Sequence, residues 1–446
     1  MLSIVVMWTL CGSALAQTFV SGRIDTDTVW TITGNPYVLA DDVEIAGGAT
    51  LTIEARVQVV AGAGTRLIVG GENAGDTGTL QALGLRGLGI SFDSQVRGEP
   101  WGGILFRETA VEPVFGPDGE FVSGSILRSC RIERAEEPLV MRGAVAYLTS
   151  TTIIGPTIPL GSGVRVELRD APTLKSFRAD GLEVDGARSF GLLVDGGTGH
   201  QLADCSFRNN GQGVSIVSTA RGDSLETVRF ERCTFSGNGV DGSPFSRGGG
   251  LAIFTRADAE IVDCVFRSNE AGGDGGAIWG GASPLIVTRC EFDSNRSGSA
   301  GGAIHDAAEG MTIDGCAFVA NSAMRSGGAV HSVSGSLREL LVTRSRFECN
   351  ESPIGGAMLV RQRLPRIEQS EFVSNASTID GGAIRFLSCN PVTLDSNRFL
   401  DNSTGGSGGA ISFDGIGARD GVDIVGNTFA GNIARLGGAV YTTDAS

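Results

Sequence analysis

The side chains best placed by type and spacing to do chemistry follow a short motif, Gly-Gly-Ala-apolar. It occurs at Gly275, Gly301, Gly327, Gly355, Gly381, Gly408 and Gly437, with Gly249-Gly250-Leu251-Ala252 as a variant. The fourth position is apolar in all seven full copies, so it should point inward, and strand alternation then turns the next residue outward. Stacked, those next residues form one exposed column: Phe254, Trp279, His305, His331, Leu359, Arg385, Ser412 and Tyr441. Rings in succession about 4.8 Å apart can stack against sugar rings or an aromatic peptide side chain. The candidate ligand-binding residues are therefore Phe254, Trp279, His305, His331, Arg385 and Tyr441. The competing reading is a variable solvent-facing column that carries aromatic residues here. His305 and His331 can also share a metal ion, but two imidazoles without an acid cluster make a poor site. Neither a metal nor a cofactor is expected.

Three further motifs invite chemistry and have plainer readings. Cys205, Cys233, Cys264, Cys290 and Cys316 occupy one slot, two residues before a phenylalanine. In an exported chain this suggests a disulfide framework. However, Thr151, Ser345, Ser370 and Asn397 fill the same slot elsewhere, so small size is the common requirement and buried, stacked thiols are expected. A four-sulfur metal site needs ligands converging from several directions, which one column does not supply. Arg221-Gly222-Asp223 is an integrin-type tripeptide, and so short a motif arises readily by chance. The Asn-x-Ser/Thr sequons at Asn295, Asn350, Asn375 and Asn402 fall where Ser or Thr follows a turn asparagine, and these asparagines read as ladder residues rather than glycan acceptors.

A polysaccharide lyase or glycoside hydrolase needs clustered carboxylates with a water, or calcium-binding acids with an Arg or Lys base, on one exposed strand face. The sequence has no paired-Asp motif, no Gly-His-Gly and no Arg-Ile-Lys, and its only histidines are His200, His305 and His331. No catalytic residue is assigned; an enzyme is the alternative to a non-catalytic binding or scaffold protein.

The elements that must position these residues are set by a repeat. Phe-x-x-Asn occurs nine times, at Phe207, Phe235, Phe266, Phe292, Phe318, Phe347, Phe372, Phe399 and Phe429, at spacings of 25 to 31 residues. Such a period marks a solenoid of stacked coils. Gly accounts for 68 of 446 residues and Lys175 is the only lysine, a composition that favours short strands and tight turns over helices. A leucine-rich repeat shares the apolar-x-x-small-x-apolar-x-x-Asn spacing, but its return segment is helical or 3₁₀. Here the return carries Gly-Gly-Ala-Ile, a poor helix interior. The expected fold is all-β, a right-handed parallel β-helix. Phe and the preceding Ile, Val or Leu should stack in inward columns. The Asn should end the strand, tolerate left-handed geometry and ladder with its copies.

The alternation of Phe-x-x-Asn with Gly-Gly-Ala-[Ile/Leu/Val] resembles the repeat signature of the chlamydial polymorphic outer membrane proteins, on a pectin-lyase-like β-helix. The paired signature covers about residues 205–441. The resemblance implies a secreted or surface-displayed β-helix, outer-membrane associated, with adhesion as its usual role. Family members end in a membrane β-barrel translocator, whereas this sequence stops at Ser446 just after Gly437-Gly438-Ala439-Val440. Export is therefore implied and autotransport is not, and the C-terminal coil is expected to be incomplete.

Residues 1–16 read as a signal peptide, an apolar stretch leading to Ala14-Leu15-Ala16. Residues 17–125 read as a cap with the first irregular coils, with a loop at 109–120, and residues 126–446 as the β-helix repeats. The net charge of −15 and pI near 4.8 disfavour nucleic acid and anionic membranes as partners. Carbohydrate or a cell-surface protein remains open. No later stretch is long and apolar enough to span a membrane as a helix.

Overall fold

The computed structural model describes residues 17–156, 161–169, 174–217, 227–239, 246–254, 258–281, 284–308, 310–415 and 421–443. The signal-peptide segment 1–16 and the tripeptide at 221–223 lie outside the described residues. The chain is a right-handed parallel β-helix, and the one helical element among the described residues is a 3₁₀ turn, Ile32–Gly34. It divides into two compact units, Met1–Asn210 with Val217–Gly222 and Gly211–Ile216 with Asp223–Ser446.

In the first unit, parallel pairing begins at once, with Thr18–Ile24 against Tyr37–Ile45. Five strands matter for function: Arg66–Val69 (β1), Gly103–Phe106 (β2), Leu139–Arg142 (β3), Val164–Glu167 (β4) and Phe190–Asp195 (β5). Each pairs in parallel with the next, so Leu67, Ile104, Leu139, Val164 and Leu192 form one inward column, every member at most 1 % exposed. A small antiparallel hairpin, Val114–Phe115 with Phe121–Ser123, leaves the coil between β2 and β3, within and just beyond the expected loop.

In the second unit the repeat becomes a set of columns. Phe235, Phe266, Phe292, Phe318, Phe347, Phe372, Phe399 and Phe429 stack with ring centroids 4.6–5.0 Å apart and planes within 8°. Parallel pairing in register dictates this, because each ring sits above its copy one strand away. All but Phe429 are fully buried, a continuous apolar core that no single coil could form.

The asparagine after each phenylalanine works as a two-way connector. Asn269 donates from its backbone N–H and from Nδ2 to Asn295 Oδ1, at 3.1 and 3.0 Å, and Asn295 repeats the pattern on Asn321 at 3.0 and 3.0 Å. The second Nδ2 proton goes backward, from Asn295 to the Phe266 carbonyl at 3.0 Å. Asn295, Asn350, Asn375 and Asn402 are fully buried, as ladder residues must be. One detail corrects the sequence reading. The left-handed residue is the one before the asparagine (Ser268, Ser294, Ala320, Cys349), with φ near 52–55°, because the turn must aim the Asn side chain into the core.

The cysteine slot also asks for more than small size. Cys264 N–H meets Cys290 Sγ at 3.4 Å, Cys290 N–H meets Cys316 Sγ at 3.4 Å, and Cys316 N–H meets Ser345 Oγ at 3.1 Å. Ser345 N–H then meets Ser370 Oγ at 3.1 Å, and Ser370 N–H meets Asn397 Oδ1 at 2.9 Å. The slot follows a left-handed residue (Asp263, Arg289, Arg344, Gln369), and a side-chain acceptor from the next coil serves its N–H. Cys, Ser and Asn interchange because each carries an acceptor at the right reach. The eight described cysteines are free thiols.

The two glycines of each Gly-Gly-Ala have different duties. Gly275 and its copies sit at φ between +60° and +73°, where a side chain is strained. Gly276 lies where a Cβ would fall 2.2 Å from the Gly302 carbonyl oxygen, so backbone packs directly on backbone.

Candidate functional site

The column expected from the sequence lies on strands Leu251–Phe254 (β6), Ile278–Gly280 (β7), Ile304–Asp306 (β8), Val330–Thr343 (β9), Met358–Glu368 (β10), Ile384–Leu387 (β11), Ile411–Asp414 (β12) and Val440–Thr442 (β13). Trp279, His305, His331, Leu359, Arg385, Ser412 and Tyr441 are register partners from strand to strand. Phe254 is not in that register, because Trp279 pairs with Ala252. The glycine count accounts for one residue of the two-residue offset. Gly248, at φ +63°, is the true first glycine of this copy, so Leu251 fills the inward slot and Ala252 the outward one. Phe254 still reaches the column from two residues on, with its ring 4.3 Å from that of Trp279.

The column is also far less open than strand alternation alone suggests. Trp279 and His305 are 9 % exposed, Leu359 4 % and Ser412 0 %, while His331, Arg385 and Tyr441 are half-buried. The chain entering the turns at Gly248, Gly275 and Gly381 passes alongside it. Arg247 lies over the Trp279 ring at 5.1 Å, and Asp274 Oδ1 stands 4.0 Å from His305 Nδ1. Arg385 is held by Asp380 and Asp414, each at 2.9 Å, and donates to Ser412 Oγ at 2.6 Å. His305 and His331 bring their Nδ1 atoms to 3.1 Å, so one donates and the other accepts. Burial lowers the pKa of His305, and burial together with His305 pushes that of His331 down to about 3, so both rings are neutral near pH 7. Phe254 with Trp279, His305 with His331, and Arg385 with Ser412 thus contact one another along the column.

The first unit carries a groove that the motifs do not mark. It runs across β1 to β5, has a volume of about 860 Å³, and its floor includes Ile68 and Leu105. Val140 continues that outward row in register, and the three side chains pack as a cluster only 4–7 % exposed. Charged side chains border it on both sides. Arg107, Arg142, Glu167 and Asp195 stand at or just beyond the ends of β2, β3, β4 and β5.

An alternating chain of ion pairs ties this border together. Arg66 Nη2 meets Glu137 Oε2 at 2.9 Å, and Glu137 Oε1 meets Arg165 Nη2 at 2.6 Å. Arg165 Nε meets Glu167 Oε1 at 3.1 Å, and Glu167 Oε2 meets Arg142 Nε at 3.1 Å. Arg169 pairs with Asp195 at 2.8 Å and Arg107 with Glu44 at 2.7 Å. These groups are a quarter to a half exposed, so each pair adds little stability. What the pairs do is hold donors and acceptors at fixed places facing solvent.

Sequence reasoning passed over this groove, although a signal exists. Ile104-Leu105-Phe106-Arg107, Leu139-Val140-Met141-Arg142, Val164-Arg165-Val166-Glu167 and Leu192-Leu193-Val194-Asp195 each end a short apolar strand in a charge.

A family model described as "Right handed beta helix region" matches residues 190–372. No curated protein matches the sequence significantly. Among solved structures, the A-module of Azotobacter vinelandii mannuronan C-5 epimerase AlgE6 is 13 % identical, with a TM-score of 0.42 over 90 % of this chain and 92 % of that one. Tailspike protein 3 of bacteriophage CBA120 is also 13 % identical, with a TM-score of 0.37 over 91 % of this chain and 55 % of that one. The A-module of Azotobacter vinelandii AlgE4 is 12 % identical, with a TM-score of 0.34 over 89 % and 92 %. Likenesses of this degree carry no reaction or ligand across.

Proposed function

We propose that this chain is an exported, non-catalytic β-helical protein of the cell surface or extracellular space, outer-membrane associated, working as an adhesin-like binder or scaffold. The observation that carries the reading is the groove on β1–β5. Charged side chains cover a buried apolar row there, and Glu44, Glu137, Glu167 and Asp195 are each held by an arginine. Such a surface offers contact area and fixed polar groups, which binding requires. The repeat resemblance to chlamydial polymorphic outer membrane proteins and the apolar N-terminal stretch support display outside the cell.

Two measurements test the reading. Beads coated with the purified chain should capture cells or immobilised polysaccharide, and Arg142→Ala with Arg107→Ala should reduce capture while leaving the circular dichroism spectrum unchanged. Expressed with its natural N-terminus, the chain should be cleaved after Ala16 and recovered outside the cytoplasm. Uncleaved cytoplasmic product would refute export, and undiminished capture by the double variant would refute the groove as the binding face.

A further inference from the structure

The charge pattern of the groove narrows its ligand, and we infer that the groove takes a neutral, hydroxyl-rich oligosaccharide. This rests on the reading of the chain as a binder. Arg66, Arg107, Arg142 and Arg169 line the groove. Asp42, Glu108, Glu167 and Asp195 line it too, a balance of zero formal charge. The whole chain carries −15, so the groove is an electrically balanced strip on an acidic protein.

An acidic polysaccharide would meet a carboxylate beside every arginine, and the net charge would slow its approach. A basic partner would find the two carboxylates at the ends of β4 and β5 already claimed, Glu167 by Arg142 and Arg165, and Asp195 by Arg169. A sugar hydroxyl both donates and accepts, so neighbouring hydroxyls can receive from a guanidinium and give to the carboxylate beside it without separating the pair. The row Ile68, Leu105 and Val140 is only 4–7 % exposed, so the charged side chains beside it, and not the row, present the hydrogen-bonding face. Five adjacent strands about 4.8 Å apart give a track on the order of 20 Å, the length of a short oligosaccharide.

The test is equilibrium binding of the whole chain to a panel of neutral gluco-, manno-, galacto- and N-acetylglucosamine oligosaccharides, beside galacturonate and mannuronate oligomers. At least one neutral oligomer should bind, with an affinity that changes less than about twofold when salt is raised from low to physiological strength. Arg142→Ala, which removes a charge-assisted donor, should weaken that affinity about tenfold. The double substitution Glu167→Gln with Asp195→Asn leaves an excess of arginine, so it should weaken the neutral ligand and create salt-sensitive binding to uronate oligomers. Binding by the native chain to uronates alone would overturn the neutral assignment and leave the binder reading standing. So would capture of a cell-surface protein through the groove with no glycan bound. Release of new chain ends from any oligomer would overturn the binder reading itself.

Discussion

The substitution Phe292→Ala tests whether the ring column carries the stability of the second unit. Phe292 is fully buried, 4.9 Å from the Phe266 ring and 4.6 Å from the Phe318 ring. Burying a phenylalanine side chain is worth about 1.5–3 kcal/mol, and each ring contact about 0.5–1.5 kcal/mol more. The cavity should persist, because parallel ladders through Val265, Glu291 and Ala317 fix the strand spacing on both sides. The expected loss is therefore about 3–5 kcal/mol, the range for truncating a core aromatic residue. Phe429 stacks at 5.0 Å on Phe399 and is only half-buried, so Phe429→Ala should cost roughly half as much. Urea denaturation followed by circular dichroism measures both, and hydrogen exchange shows whether the loss stays near the altered coil, as in a quasi-one-dimensional structure. A cost below about 1.5 kcal/mol at Phe292, or equal costs at the two positions, would refute the reasoning.

Three further outcomes follow from the same columns. Asn295→Ala removes the acceptor of Asn269 N–H and Nδ2 and the Nδ2 donor to the Phe266 carbonyl, so it should cost at least about 3 kcal/mol in the same urea titration; a loss under about 1 kcal/mol would mean that water fills the ladder. Among the described cysteines only Cys349 is exposed, so a thiol reagent should label it quickly and reach Cys130, Cys205, Cys233, Cys264, Cys290, Cys316 and Cys389 only after denaturation, as mass spectrometry would show; a Cys264–Cys290 bridge in the native protein would contradict this. Asp306 is buried and receives Arg363 Nη2 at 2.5 Å, Ser332 Oγ at 2.9 Å and Ala308 N–H at 2.9 Å. Burial pushes its carboxyl up to about 6 even though Arg363 pulls it down. From about pH 3.9, its unfolded value, to about 6 the folded state binds more protons, so this group's contribution to stability is lost as pH rises through that window. The urea midpoint of the native chain minus that of Asp306→Asn should fall across that range, and a flat difference would contradict the assignment.

How much of this was legible in the sequence varies from residue to residue. The Phe and Asn columns were legible because a period of 25 to 31 residues in parallel register places each copy over the last. The outward register of Trp279, His305 and His331 was legible for the same reason. Their burial was not, because the path by which Arg247 and Asp274 come alongside is tertiary. Phe254 was misplaced by two residues: three glycines in a row hid which one takes the positive φ, which accounts for one of them, and Phe254 stands one further than the Gly249 reading itself allows. The groove escaped notice because the coils of the first unit vary in length. Arg66 and Arg165 stand on β1 and β4, but Glu137, which joins them, lies in the loop before β3, whose geometry no repeat fixes.

The central claim is binding without turnover. The most direct measurement incubates the purified chain with each polysaccharide it binds and follows new reducing ends and unsaturated products. The account predicts saturable binding, abolished by changes in the groove, and no product above a protein-free control. Product formation that Glu167→Gln or Arg142→Ala eliminates would contradict it and make the groove an active site.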